Sequence, residues 1–138
     1  LLFCAARAEL VAQVVGPARE AGRHVVCDRF SDSSVAYQGV GRGLGAERVE
    51  EICNLATDGV WPDLTVLLRI DPDGAARRIG RRKADRFEGE GIELQRRVAE
   101  GYEEVARRNP ERVRVIDADG DRQTVHAAVL AEVQGVTA

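Results

Sequence analysis

His24-Val25-Val26-Cys27-Asp28-Arg29-Phe30 is a short apolar run that ends on a charged pair. Apolar residues without polar alternation predict a parallel strand covered on both faces, here residues 23–27, and ligands of such sheets gather at the carboxyl ends of the strands. Asp28 and Arg29 stand at that end. A carboxylate that can hold a hydrated Mg2+, beside a guanidinium that can fork onto a phosphate, is a pairing that phosphoryl transfer uses. The same pair also reads as a local ion pair closing a strand, and the stretch alone does not choose between the two.

Downstream, Ser31-Asp32-Ser33-Ser34 is a polar cluster suited to capping a short helix that presents Tyr37 and Gln38. The glycine-rich run of residues 39–46 contains a Gly-x-Gly-x-x-Ala string, yet no strand precedes it as a dinucleotide fingerprint requires, so it reads as a mobile surface loop. Residues 47–57 predict a helix with Val49, Ile52, Cys53 and Ala56 on one face. Residues 64–70 repeat the continuous apolar pattern of a buried strand, ended by Asp71-Pro72-Asp73, and residues 113–118 supply a third strand. Strands separated by helical segments predict an alternating, parallel α/β domain.

Upstream, Leu2, Phe3, Ala6, Leu10, Val14 and Val15 recur at helical spacing and predict an amphipathic helix that meets Pro17 and ends near Gly22. Phe3 and Arg7 stand four residues apart on it. A ring that stacks on a base and a guanidinium that donates to it is one reading, and a buried Phe with a snorkelling Arg is the other. Residues 93–108 form a further amphipathic helix carrying Leu94, Val98, Tyr102, Val105 and Ala106, and residues 124–133 a closing one, with a frayed tail from Gln134. Between them Arg77, Arg78, Arg81, Arg82, Lys83 and Arg86 make a basic run that serves either as a solvated face or as a contact for a polyanionic ligand.

Composition narrows the class. A chain of 138 residues with net charge −3 has the size of one domain and is not a general nucleic-acid or membrane binder. It shows no secretory signal pattern at its start, which points to the cytosol. Cys4, Cys27 and Cys53 are odd in number and widely spaced, in apolar surroundings, and read as reduced core thiols without a chemical role. There is no methionine, and Leu1-Leu2-Phe3 begins inside a helical pattern, so we expect the natural start to lie upstream.

Taken in series, Leu2-Phe3-Cys4-Ala5-Ala6-Arg7, Asp28-Arg29-Phe30, Ala36-Tyr37-Gln38-Gly39, Pro62-Asp63-Leu64-Thr65, Asp85-Arg86-Phe87-Glu88 and Ile116-Asp117-Ala118 resemble the successive motifs of bacterial thymidylate kinases, in order and over essentially the whole chain. The resemblance implies a three-layer P-loop nucleoside monophosphate kinase fold with a parallel sheet. It also implies transfer of the γ-phosphoryl group of ATP to dTMP with Mg2+, in a homodimer. By the same resemblance Phe3 and Arg7 hold the thymine, Arg29 the acceptor phosphate, and Asp28 lies by the metal, through water. Ser34, Tyr37, Gln38 and Tyr102 line the nucleoside pocket. Residues 77–90 form a LID whose Arg77, Arg78, Arg81, Arg82 and Arg86 reach the ATP phosphates, with Arg81 and Arg82 catalytic beside Asp28 and Arg29. The family's first, central strand and its Gly-x-x-x-x-Gly-Lys-Ser/Thr loop have no counterpart here, Lys83 being the single lysine. The expectation is therefore a partial domain, competent only together with that segment. A related deoxynucleoside kinase, or a non-catalytic nucleotide-binding or dimerising fragment, are the alternatives.

Overall fold

The computed structural model describes residues 1–70 and 91–137. α1 (Leu2–Leu10) continues through a π-helical turn (Val11–Val15) into α2 (Gly16–Glu20). Pro17 explains the wide turn: it has no N–H, and its ring would collide with the carbonyl four residues back in a regular helix. An extra residue in the turn relieves this, and the Gly16 N–H donates to the Val11 carbonyl. Gly22 then ends the helix as expected, at φ +67°. Its N–H donates to the Arg19 carbonyl and that of Arg23 to the Ala18 carbonyl, both at 2.9 Å, the paired bonds of a Schellman cap.

Residues 23–27 form no strand, which corrects the reading of the opening stretch. Val26 is 97% exposed. A strand exists only where a neighbour takes its N–H and C=O groups, and local apolar sequence cannot supply one. Among the described residues the sheet has two strands, β1 (Thr65–Arg69) and β2 (Val113–Asp117). They run parallel, from Thr65 opposite Val113 to Arg69 opposite Asp117. The Thr65 N–H donates to the Arg112 carbonyl and the Ala118 N–H to the Arg69 carbonyl, both at 2.8 Å, so the ladder is extended at each end. The parallel α/β expectation holds for this pair.

Between the open stretch and the sheet, α3 (Ser31–Ser34) leads into a second π-helical segment (Val35–Gly41), followed by α4 (Ala46–Ala56). Two expectations change here. The polar cluster of α3 makes no side-chain cap and is buried. Gly39 and Gly41 belong to the π-helical segment and are buried as well, so residues 39–41 are not a surface loop. Their lack of a side chain is a packing requirement: a Cβ on Gly41 would stand 2.8 Å from Val98 Cγ2, and one on Gly39 would stand 2.9 Å from Ala46 Cα.

α5 (Gly91–Arg108) lies against that segment. Leu94, Val98 and Val105 are buried at the spacing the sequence predicts, and Arg107 and Arg108 in the last turn complement the helix dipole. α6 (Arg122–Thr137) starts where Asp121 accepts the N–H groups of Gln123 and Thr124 at 2.9 and 3.1 Å. It stays helical through the expected frayed tail from Gln134.

One apolar cluster joins Cys4, Val35, Val49, Cys53, Val105 and Val113, so it ties α1, α4, α5 and β2 together. A second, of Ala36, Leu94 and Val98, carries Tyr37 and Tyr102 at its margin. α1 packs through Cys4, off the stripe the sequence suggested: Leu2 is 87% exposed and Phe3 is exposed too, and of the stripe's residues in the π-helical turn Val15 is buried and Val14 exposed. The cysteines divide. Cys4 and Cys53 are buried, as expected, whereas Cys27 is exposed.

Candidate functional site

The site forms where α1, the turn before α3, the second π-helical segment and α5 converge. Arg29 sits in that turn with φ +66°, a left-handed conformation that strains a side-chain-bearing residue by roughly 1 kcal/mol or more. Local contacts hold it there. The Cys27 thiol donates to the Arg29 carbonyl at 3.5 Å, Arg29 Nε donates to Ser33 Oγ at 3.4 Å, and the guanidinium lies 4.5 Å from the centre of the Tyr37 ring. The result is a cation held against an aromatic face at an accessible point of the surface.

Tyr37 meets Tyr102 edge to face, with ring centres 6.2 Å apart and planes at 85°. The Tyr102 hydroxyl shares a 2.8 Å hydrogen bond with Ser33 Oγ, which links α5 to α3. Burial raises the Tyr102 pKa, with the Ser33 hydrogen bond opposing it, so the phenol is neutral at physiological pH. One residue further on, Ser34 Oγ accepts from Arg7 Nη1 at 2.8 Å, and the Arg7 guanidinium lies 5.8 Å from the Phe30 ring centre. Two arginines from separate elements are thus each held by one of two consecutive serines.

Of the residues singled out from the sequence, Arg7, Arg29, Ser34, Tyr37 and Tyr102 come together. Phe3 lies one helical turn from Arg7 and is 56% exposed. Asp28 is exposed beside Arg29, and Gln38 is half-buried on the π-helical segment. Arg77, Arg78, Arg81, Arg82 and Arg86, with the basic run and the expected LID, lie outside the described residues. The sequence reading took Ser33 only as part of a capping cluster, although its place four residues after Arg29 was a usable signal of the contact between them. It passed over Arg112, which supports the site from 80 residues away by pairing with Asp32. Among the described residues no group of three or more His, Cys, Asp or Glu is placed to hold a metal. A single exposed carboxylate such as Asp28 nevertheless fits Mg2+, an ion that keeps several waters and takes one or two carboxylates together with substrate phosphates.

Fold and site together define an α/β protein with a cationic, tyrosine-lined site on a widened helix. Residues 1–129 match the family model described as thymidylate kinase. The chain is 49% identical to the thymidylate kinase of Pelotomaculum thermopropionicum over 138 residues, which is 99% of this chain and 64% of that protein. It is 42% identical to that of Caldanaerobacter subterraneus over 134 residues, 97% of this chain and 64% of the relative. The crystal structure of thymidylate kinase from Ehrlichia chaffeensis superposes with a TM-score of 0.73 at 30% identity, covering 95% of this chain and 60% of that one. The chain belongs to the thymidylate kinase family. It spans 64% of the length of these two curated relatives.

Proposed function

We propose that the protein phosphorylates dTMP to dTDP with ATP, and that the described residues form the acceptor side of this reaction. The observation that carries the reading is Arg29, held in a left-handed turn against the Tyr37 ring with Arg7 and Ser34 alongside. A phosphate monoester needs a rigid guanidinium fork, and the base needs donors and an aromatic surface. Arg29 takes the phosphate of dTMP. Arg7 and Phe3 take the thymine, while Ser34, Tyr37, Gln38 and Tyr102 line the nucleoside pocket, the tyrosines crowding the sugar.

Asp28 would hold Mg2+ through water, and the ion would supply charge neutralisation on the transferred phosphoryl group. Arg29 fixes the acceptor oxygen in line with the donor, so its contribution is orientation together with charge stabilisation. The arginines of residues 77–90, which lie outside the described residues, supply positive charge to the ATP phosphates in this reading. The exposed apolar surface of Leu1 and Leu2 at the start of α1, with Val14 in the π-helical turn that follows it, supports a homodimer built through this helix. No helix among the described residues is long and apolar enough to cross a membrane, and the cytosol, where nucleotides are made, is the proposed location.

The test is a coupled assay of the purified full-length protein with ATP and Mg2+ against dTMP, dUMP, dCMP and AMP. Turnover of dTMP well above the other three is expected. Equal turnover, or turnover of thymidine in place of dTMP, overturns the reading.

A further inference from the structure

Two consecutive serines face two different arginines. Ser34 Oγ accepts from Arg7 Nη1 at 2.8 Å, and Ser33 Oγ accepts from Arg29 Nε at 3.4 Å while bonded to the Tyr102 hydroxyl at 2.8 Å. Both serines are buried, with Ser33 at 6% exposure, so neither hydroxyl has water as a ready substitute partner. Arg29 stands in strained backbone, and its side chain is otherwise held by the Tyr37 ring face, which fixes the height of the guanidinium plane but not its rotation in that plane, and by an interaction with the Tyr102 hydroxyl that Ser33 itself anchors. A hydrogen bond to Nε supplies the missing constraint. It takes up the inner edge of the fork and turns the two terminal nitrogens outward, the arrangement a phosphate accepts in bidentate fashion.

We infer that Ser33 is a positioning residue for the phosphate-binding arginine, anchored through Tyr102, and that Ser34 serves the base-binding arginine, so that the serine pair separates phosphate recognition from base recognition. This rests on the dTMP reading above. Ser33 touches no substrate. It acts by fixing Arg29 to α5, and through Arg29 it sets how strongly the protein prefers a nucleoside monophosphate to the nucleoside.

dTMP and thymidine differ only in the phosphate, so their affinity ratio isolates this effect. Calorimetric titration of the full-length protein with each ligand is the experiment. Ser33→Ala weakens dTMP about tenfold and leaves thymidine within about twofold, whereas Ser34→Ala weakens both alike. In an Arg29→Ala background, Ser33→Ala has no further effect on dTMP. Ser33→Thr, which keeps the hydroxyl, retains a dTMP preference within about threefold of the parent. Equal losses for the two ligands in Ser33→Ala overturn the inference, as does an undiminished preference, an additive effect without Arg29, or an alanine-like loss in a folded threonine variant. A parent protein that binds dTMP no better than thymidine overturns the substrate reading, and the inference with it.

Discussion

The carboxylate of Asp32 is gripped at both oxygens by Arg112, with Oδ1 accepting from Nη2 at 2.8 Å and Oδ2 from Nη1 at 2.9 Å. Thr65 adds a third donor to Oδ2 at 2.8 Å, and the Trp61 ring covers the guanidinium at 4.9 Å. Burial pulls the Arg112 pKa down, and the hydrogen bonds and charge of Asp32 more than reverse this. The pair ties α3, and with it Ser33 and Ser34, to the start of both strands.

The side chains of Arg112 and Asp32 are only 13% and 6% exposed, so removing one leaves the other buried and uncompensated. Asp32→Ala is expected to destabilise the protein by roughly 3 kcal/mol in urea unfolding. The double variant with Arg112→Leu costs clearly less than the sum of the single changes. Additive losses would mean that the pair contributes little beyond packing.

Gly101 lies where α5 crosses the second π-helical segment. A Cβ there would stand 2.8 Å from both Cα and the carbonyl oxygen of Ala36, and 3.0 Å from Val40 Cβ. Backbone cannot move aside as a flexible side chain does. Gly101→Ala therefore forces the helix outward and carries Tyr102 away from Ser33, with an expected loss of about 1–3 kcal/mol. Calorimetric unfolding reads the stability, and a parallel drop in dTMP affinity reads the displaced tyrosine. An unchanged Tm would contradict the contact.

Cys4 and Cys53 bring their sulfurs to 4.0 Å across α1 and α4. Burial first, and then the neighbouring Cys4, pushes the Cys53 thiol up from its ordinary 9.0 to about 11. An acid that holds its proton more tightly when folded stabilises the fold fully below its unfolded pKa, so stability falls as pH rises from about 9 to about 11. The loss is of order 1–2 kcal/mol. Cys53→Ser removes the thiol's share of the alkaline slope and leaves that of the buried Tyr102 phenol, which begins near its ordinary 10.0. With a thiol reagent at neutral pH, the exposed Cys27 reacts first, and Cys4 and Cys53 react only on unfolding.

Local pattern carried the helices well, because Leu94, Val98 and Val105 repeat at helical spacing and Gly22 closes its helix with a left-handed cap. It also carried the two paired strands. It failed at residues 23–27, since an apolar run records a preference for burial and not whether a neighbouring strand is present to pair with. The α1 face was misread for a related reason: Leu2, Phe3 and Val14 have the spacing of a core stripe, yet Cys4 is what α4 receives. At the site, Arg7 and Arg29 were visible as residue types that suit a nucleotide, and Tyr37 and Tyr102 entered through the family resemblance. The left-handed turn of Arg29 and the Asp32–Arg112 pair were not visible, because one is a backbone strain held by tertiary contacts and the other joins residues 80 positions apart.

The most direct measurement is kcat/KM for dTMP phosphorylation by the full-length protein carrying Arg29→Ala, set beside its unfolding free energy. Arg29 is exposed and contacts the fold chiefly through Ser33 and Tyr37, so stability should change by no more than about 1 kcal/mol. The catalytic loss should be at least about 100-fold, as expected when a charged group that binds the reacting phosphate is removed. Turnover within a few-fold of the parent would contradict the placing of the acceptor phosphate on Arg29.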